Sequence, residues 1–186
     1  MPELERYLLT RISSLNEKLK ELVSKHDYHA IYTALLNFCT LELSAFYFDI
    51  RKDSLYCDDI KSIKRRSTST CLHNIFEFLT KWLSPIVSFT CEEAWKSRSY
   101  SNEESILLQN VKDDEFTYKD ISLEKVFEEL KRVRKSVTSA LELKRNEKLI
   151  GSSLQAKVIL FLSKDTQKII ADLDCLLYTS PSPRDR

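Results

Sequence analysis

The chain has 186 residues, with 29 Lys or Arg against 28 Asp or Glu, so a net charge of +1 favours no class of partner by itself. Its single glycine, Gly151, contrasts with the roughly 13 that average usage of about 7% predicts. This excludes glycine-rich phosphate loops and favours a mostly helical protein. The sequence has no run of about 18 apolar residues, which excludes a membrane span, and no signal peptide at its N-terminus.

The five cysteines are far apart and form no CxxC pair. Free cysteine at an apolar helical position behaves as a small hydrophobic residue. We therefore predict core packing rather than a disulfide framework or a metal site, and a reduced, cytoplasmic protein.

Apolar residues at helical spacing predict a first helix over 3–24. Asp27 is a suitable N-cap for a second helix over 28–50, which carries two apolar stripes and is therefore expected to lie centrally in a bundle. One stripe comprises Ile31, Leu35, Phe38, Leu41, Ala45 and Phe48, and the other Leu36, Cys39, Leu43, Tyr47 and Ile50. Residues 51–59 are predicted to form a loop.

A third helix is predicted from Ser62, with a break near Ser84 because Pro85 lies inside its pattern. Its stripe would run from Cys71 through Ile86 to Phe89. Residues 97–118 are mostly polar and predict a loop. A fourth helix follows, from Asp120 or Ser122 to about Lys148, with its stripe at Leu123, Val126, Leu130, Val133, Val137 and Leu141.

Gly151 is expected to end the helical region in a left-handed conformation. Residues 155–162 are β-branched and apolar and predict a strand. Residues 165–173 predict a short helix capped by Asp165. The expected fold is mainly α: a helical bundle over 1–150, followed by the start of a small α+β appendage over 151–174.

Charge is segregated along the chain. Residues 113–129 carry seven acidic and two basic side chains, whereas residues 131–148 carry seven basic and two acidic ones. A second basic cluster, Lys61, Lys64, Arg65 and Arg66, opens the third helix, where cations oppose the helix dipole. Two interpretations stay open, namely solvated helix faces and a surface that contacts a phosphate backbone.

Other residues have simpler interpretations. The carboxylate pairs at 92–93, 103–104 and 128–129 diverge around a helix and are poor acid–base partners, so no catalytic residue is predicted. Glu92 and Glu93 would favour the N-terminal dipole of the helix after Pro85. Trp82 and Trp95 could stack on bases, but core packing is the preferred interpretation. The 51–53 segment either places a cation at a helix C-terminus or contacts RNA.

Several stretches together resemble one family. They are DYH at 27–29 followed by FC at 38–39, FYFDIRKDSLYC at 46–57, RRS at 65–67, WLSPIVSFTCEEAW at 82–95 and GSSL at 151–154. Over roughly residues 2–174 the chain is similar to the region after the catalytic domain in bacterial isoleucyl-tRNA synthetases, which are class I aminoacyl-tRNA synthetases. The 46–57 block favours isoleucine over the related valyl and leucyl enzymes, which remain an alternative.

The resemblance implies an anticodon-binding domain that contacts tRNA(Ile), packs near the catalytic domain of the same polypeptide and acts as a monomer. The HIGH and KMSKS motifs, the editing domain and the zinc module of the family are absent from this sequence. We therefore expect Met1 to be an internal methionine and the chain to be an inactive fragment, without a cofactor or metal of its own. ATP with Mg²⁺ would be a substrate of the parent enzyme, and zinc would belong to the C-terminal module.

Eleven clustered cations are the predicted RNA contacts. They are Arg51, Lys52, Lys64, Arg65, Arg66, Arg132, Arg134, Lys135, Lys144, Arg145 and Lys148. The alternative is a structural helical bundle with no nucleic-acid partner.

Residues 175–186 depart from the family pattern. They can be back-translated into a sequence that resembles the transposon-end adapter of sequencing libraries. We expect a non-native tail; the alternative is a natural Ser-Pro tail that adopts a polyproline conformation or is phosphorylated.

Overall fold

The computed structural model describes residues 1–98, 105–109, 116–151 and 155–170. Within these residues it contains helices and no strand. The α-helices are α1 Glu3–Ser24, α2 Tyr28–Asn37, α3 Asp49–Cys57, α4 Ile63–Leu83, α5 Ser88–Lys96, α6 Ile121–Asn146 and α7 Lys164–Ile170. A π-helix, Phe38–Phe48, joins α2 to α3 without a break, and a 3₁₀-helix, Ile106–Leu108, lies between α5 and α6.

The first helix is the centre of the bundle, because α1 contacts α2, α4 and α6. Its bounds confirm the sequence-based prediction, and its apolar stripe provides much of the core, including Leu4, Leu8, Ile12 and Leu19. Tyr7 is also buried, and its ring stacks on Phe127 of α6 with the ring centres 4.3 Å apart. The bundle prediction is therefore confirmed, with α1 rather than the second helix in the middle.

The predicted loop over 51–59 is wrong for most of its length. Asp27 caps α2 as expected, since its side chain accepts from the backbone N–H of Ala30 at 3.0 Å. From there α2, the π-helix and α3 form one continuous helix over 28–57, called the long helix below. It extends past Ile50 because Arg51 and Ser54 continue its buried side.

The two stripes predicted for the long helix are each buried over only half their length. Ile31, Leu35 and Phe38 of the first stripe are buried, as are Leu43, Tyr47 and Ile50 of the second. Leu41 and Leu36, however, are 64% and 45% exposed. A π-helix bonds residue i to i+5 and so uses more residues per turn than an α-helix. The π-helix thus moves the core-facing side from one stripe to the other.

By length and composition alone, the long helix could cross a membrane, although a core helix of a bundle passes the same test. The absence of a run of about 18 apolar residues therefore does not by itself exclude a membrane span, which corrects the prediction made from the sequence. In the bundle, α2 packs against α1 and α3 packs against α4.

The predicted break at Pro85 is confirmed, since α4 ends at Leu83 and α5 begins at Ser88. The predicted continuation of the α4 stripe is wrong, because Ile86 and Phe89 are 46% and 93% exposed. The turn gives α5 a new orientation, and Cys91 and Trp95 face inward instead. They form a second small core with Ile106, against Phe76 and Leu83.

Both tryptophans pack inside the protein, as predicted. Trp95 is 4% exposed, and its ring stacks on Phe76 with centroids 6.4 Å apart. Trp82 lies against the main core and donates its Nε1–H to the Asn16 side chain at 2.9 Å. Neither ring is available for a base.

The fourth predicted helix is confirmed as α6, but only its first half is packed in the core. Leu123, Phe127 and Leu130 are buried, and Phe127 lies outside the predicted stripe. The left-handed residue beyond the helix is Lys148, with φ 58°, so the prediction for Gly151 is wrong.

The region after α6 differs from the predicted α+β appendage. Described residues 155–163 form no strand, and α7 begins at Lys164. Ser163 rather than Asp165 caps α7, because its hydroxyl accepts from the backbone N–H of Thr166 at 3.2 Å. The predicted tail over 175–186 lies outside the described residues.

Candidate nucleic-acid interface

A buried ion pair connects three helices at the end of the bundle where α1 begins. Glu5 is fully buried in α1 and receives two hydrogen bonds from Arg51 of α3, at 2.6 and 2.8 Å. Thr68 of α4 donates to the same carboxylate at 3.2 Å, and the Tyr47 hydroxyl lies 3.4 Å from it. Paired hydrogen bonds of this kind are the strongest contacts between arginine and a carboxylate.

This arrangement contradicts the prediction that Arg51 contacts RNA, because Arg51 is 2% exposed and its guanidinium is turned toward Glu5. The position follows from the long helix, in which Tyr47 and Ser54 mark the same buried side. A signal for the pair was present in the sequence, since Glu5 directly follows Leu4 and precedes Leu8 by three residues.

Lys52, the next residue, lies at the surface with a 42% exposed side chain and donates to Asp49 at 3.0 Å. Arg134 of α6 binds the other oxygen of Asp49 at 2.6 Å. Partial burial acts against ionisation, yet the hydrogen bonds from Lys52 and Arg134 lower the pKa of Asp49. Arg134 therefore holds α6 against α3, whereas the ammonium of Lys52 remains within reach of solvent.

The basic cluster at the start of α4 is held by a regular N-cap. The Ser62 hydroxyl accepts from the backbone N–H of Arg65 at 3.0 Å, and the Arg65 guanidinium donates to the backbone carbonyl of Asp58 at 2.7 Å. Within the described part of the chain, the side chains of Lys64 and Arg66 form no ion pair or hydrogen bond. Two cations are thus unneutralised where the helix dipole disfavours positive charge.

The cations of α6 and of the turn that follows it fall into two groups. Arg132, Lys144 and Arg145 each bind a glutamate three residues away, at 2.7, 2.7 and 2.5 Å. Exposed pairs of this kind contribute less than about 1 kcal/mol and exchange readily for another anion. Lys135 and Lys148 are exposed and form no side-chain pair among the described residues.

The structure brings several of these cations to one end of the bundle. The Glu5 contacts join the beginnings of α1 and α4 to α3, and the Asp49–Arg134 pair adds the middle of α6. We call this the basic end; it carries Lys52, Lys64, Arg66 and Lys135. Lys144 and Arg145 lie farther along α6, beyond its last buried residue, Leu130, and Lys148 lies in the turn that follows the helix.

Lys131 belongs to the basic segment but has a structural role that the sequence analysis did not assign. Its ammonium binds Glu42 and the Tyr7 hydroxyl, the latter at 2.8 Å, and lies 4.7 Å from the centre of the Phe46 ring. Burial lowers the pKa of Lys131, against the effect of Glu42. Lys131 joins α6 to α1 and the π-helix.

Acidic residues that the sequence analysis considered have structural partners. Glu92 accepts from the Ser105 hydroxyl at 2.7 Å and the Ile106 N–H at 2.9 Å, and so ties α5 to the 3₁₀-helix rather than stabilising the start of α5. Asp120 binds Arg6, and Glu124 accepts from Ser14 at 3.1 Å. These contacts attach the start of α6 to α1.

The described cysteines, Cys39, Cys57, Cys71 and Cys91, are free thiols. Burial raises the pKa of Cys71 to about 12, so this thiol is protonated at neutral pH. Among the residues that the structure describes, no group of three or more His, Cys, Asp or Glu could hold a metal ion.

Comparison with known proteins identifies the bundle. The family described as "Anticodon-binding domain of tRNA ligase" matches residues 5–160. The chain is 44% identical over 174 residues to an isoleucine–tRNA ligase of Pelagibacter ubique, covering 94% of this chain. It is 43% identical to one of Agrobacterium fabrum and 40% identical to one of Gluconobacter oxydans, over 88% and 97% of this chain.

The chain spans less than a fifth of the length of these relatives, between 17% and 19%. The family match, by contrast, covers most of the chain and includes α1 to α6. The chain belongs to the family of anticodon-binding domains of tRNA ligases.

Proposed function

We propose that this chain binds the anticodon arm of tRNA(Ile) as part of an isoleucine-charging enzyme. The observation that carries this proposal is the family match over 5–160, together with relatives named isoleucine–tRNA ligase at 40–44% identity. The whole enzyme would join isoleucine to tRNA(Ile) with ATP and Mg²⁺ as substrates. This chain alone would be inactive and would need no metal. Its monomeric state and cytoplasmic location stay predictions.

The cations that have no side-chain partner in the described part of the chain support a role in phosphate binding. Lys64, Arg66, Lys135 and Lys148 need not give up a carboxylate before they bind a phosphate, whereas Arg132, Lys144 and Arg145 would exchange one weak surface pair for another. Each cation that neutralises a phosphate releases counterions, so affinity falls with salt. Which of the predicted residues touch RNA stays a prediction; Arg51 is excluded by its burial.

The test is binding of the full chain to tRNA(Ile) over a series of salt concentrations. We expect log K to fall linearly with log salt, and the double variant Lys64→Ala/Arg66→Ala to reduce the slope by about 1.5. Lys157→Ala/Lys168→Ala is the matched control. It also removes two exposed positive charges, but from the region beyond the bundle, and should leave the slope unchanged.

Three outcomes would contradict the proposal or one of its parts. Absence of binding even at low salt would favour the alternative of a structural bundle without an RNA partner. Equal effects of the two double variants would show that the basic end is not the phosphate contact. Equal binding of tRNA(Ile), tRNA(Val) and tRNA(Leu) would remove the assignment to isoleucine.

A further inference from the structure

The long helix has an exposed row in which every fourth residue lies on the same side. The row comprises Tyr28, Tyr32, Leu36, Thr40, Ser44, Phe48, Lys52 and Tyr56, and all of these are exposed except Lys52, which is half-exposed. In an α-helix a step of four residues exceeds one turn of 3.6, so such a row winds around the axis. A π-turn uses more than four residues and rotates the row the opposite way. The Phe38–Phe48 segment therefore keeps the row straight.

The first end of this row, at the corner between α1 and α2, is aromatic. Tyr28 and Tyr32 are 65% and 49% exposed, and neither hydroxyl has a hydrogen-bond partner in the described part of the chain. His26 and His29 are exposed beside them, and the His26 ring meets Tyr28 edge-on with centroids 6.3 Å apart. The Asp27 cap marks the start of α2, the helix that carries both tyrosines.

The other end of the row reaches the basic end of the bundle through Lys52. The corner and the basic end are separated by the length of α1, whose 22 residues correspond to about 33 Å. A single exposed face thus offers stacking rings at one end and cations at the other. An RNA hairpin has the same polarity, since phosphates line its stem while the unpaired bases are at its tip.

We propose that Tyr28 and Tyr32, flanked by His29, form a stacking surface for unpaired bases in the loop of the bound RNA hairpin. This inference rests on the proposed function, because the stem is placed by the cations of the basic end. Unpaired bases are recognised in RNA chiefly by stacking on aromatic side chains, which accept any base through its π-face. The surface accordingly contributes affinity for the loop and little choice among bases.

The chemistry of the surface favours RNA over a protein partner. A protein-docking face is centred on apolar side chains that become dry on binding. Here neither tyrosine hydroxyl has a hydrogen-bond partner among the described residues, and the exposed neighbours are mainly polar: two histidines and Lys25, with Val23 as the one exposed aliphatic residue found among described residues 21–30. The aliphatic member of the row, Leu36, lies one turn away.

The experiment uses the full chain and a synthetic RNA hairpin with the anticodon-arm sequence of tRNA(Ile), with 2-aminopurine in the loop. A blunt duplex of the stem sequence is the second probe. For Tyr28→Ala/Tyr32→Ala we expect hairpin affinity to fall at least about tenfold, because the variant removes both rings on which the loop bases would stack. Duplex affinity and the salt slope should not change, because no phosphate contact is removed. The 2-aminopurine fluorescence, quenched by the wild-type chain, should stay high.

Two controls make the result specific. Tyr28→Phe/Tyr32→Phe keeps both rings and should retain wild-type affinity. Phe89→Ala removes a ring that is 93% exposed at another site and should have no effect. Circular dichroism should be the same for all variants, because each altered side chain is exposed.

The outcomes separate this inference from the proposed function. Suppose that the wild-type chain binds the hairpin with the expected salt slope and that Tyr28→Ala/Tyr32→Ala binds within twofold of it. The inference is then wrong, and a protein partner becomes the better explanation of this exposed face. If Phe89→Ala is as weak as the tyrosine variant, the effect is not specific to this surface and the inference is also wrong. If the wild-type chain binds neither hairpin nor tRNA, the proposed function fails and the inference with it.

Discussion

The two sides of the long helix use similar residue types for opposite purposes. On the buried side Tyr47 and Arg51 contact Glu5, and on the exposed side Tyr28, Tyr32 and Lys52 face solvent. Arg51 and Lys52 are adjacent in sequence, yet one has a 3% and the other a 42% exposed side chain. Side-chain chemistry therefore does not distinguish a structural cation from one that faces solvent. The position of each residue around the helix axis, facing the core or facing solvent, does distinguish them.

The largest expected effect comes from breaking the buried Glu5–Arg51 ion pair. Arg51→Ala leaves the Glu5 carboxylate buried without its cation, and we expect a loss of about 3–5 kcal/mol in the free energy of unfolding, measured by urea denaturation. Lys52→Ala, on the other side of the same turn, should cost less than about 0.5 kcal/mol.

A double variant distinguishes the charge from the packing. Glu5→Leu/Arg51→Met removes both charges at similar volume and should recover most of the stability, because the unpaired buried charge is gone. Equal losses for Arg51→Ala and Lys52→Ala would show that the Glu5–Arg51 pair is not a principal contact of the fold.

A second pair of variants tests whether the π-helix moves the core-facing side of the long helix from one stripe to the other. Leu43 is 2% exposed and Leu41 is 64% exposed, only two residues apart. Leu43→Ala should cost about 2–5 kcal/mol, as is usual for a buried leucine, whereas Leu41→Ala should change stability by less than about 0.5 kcal/mol. Thermal or urea unfolding measures both. A larger loss for Leu41→Ala than for Leu43→Ala would mean that the first stripe continues to face the core through this segment.

The smallest expected effect concerns the exposed edge of the interface, where Lys52 and Arg134 lower the pKa of Asp49. A carboxyl whose pKa is lower in the folded state stabilises the protein above its unfolded pKa, near 4, and loses this contribution as the pH falls through the folded value. Asp49→Asn should therefore reduce stability at pH 7 but not at pH 2. We expect a difference below about 1 kcal/mol, because the side chain is 44% exposed. A difference that persists at pH 2 would show that Asp49 acts through packing instead.

Much of the helical pattern was predictable from local signals. The bounds of α1, the cap Asp27, the start of α4 near Ser62 and the break at Pro85 depend on neighbours in sequence, and all are confirmed. The wrong predictions depended on distant contacts. Arg51 was predicted to lie in a loop because its partner, Glu5 of α1, is distant in sequence and could not be identified from neighbouring residues. The strand over 155–162 was inferred from β-branched composition, which predicts a strand only where another strand pairs with it.

For the candidate site, too, some features were predictable from neighbouring residues and others depended on distant contacts. Clustering of Lys and Arg located the basic segments, but only the fold separates Lys64 and Arg66, which have no side-chain partner among described residues, from Arg134, which holds Asp49. The exposed tyrosine row was not predicted, because a row with a spacing of four residues winds around an ordinary α-helix and over 28–56 would not stay on one side. The π-helix within the segment counteracts this winding.

For this protein, the sequence alone determined that the chain is helical, where most helices begin, and which family it resembles, because propensity, capping and sequence blocks are properties of neighbouring residues. Tertiary structure decided which side of each helix faces the core and hence which cations and aromatic rings reach solvent. That choice depends on the packing of α1 against three other helices, and no local stretch of the chain contains it.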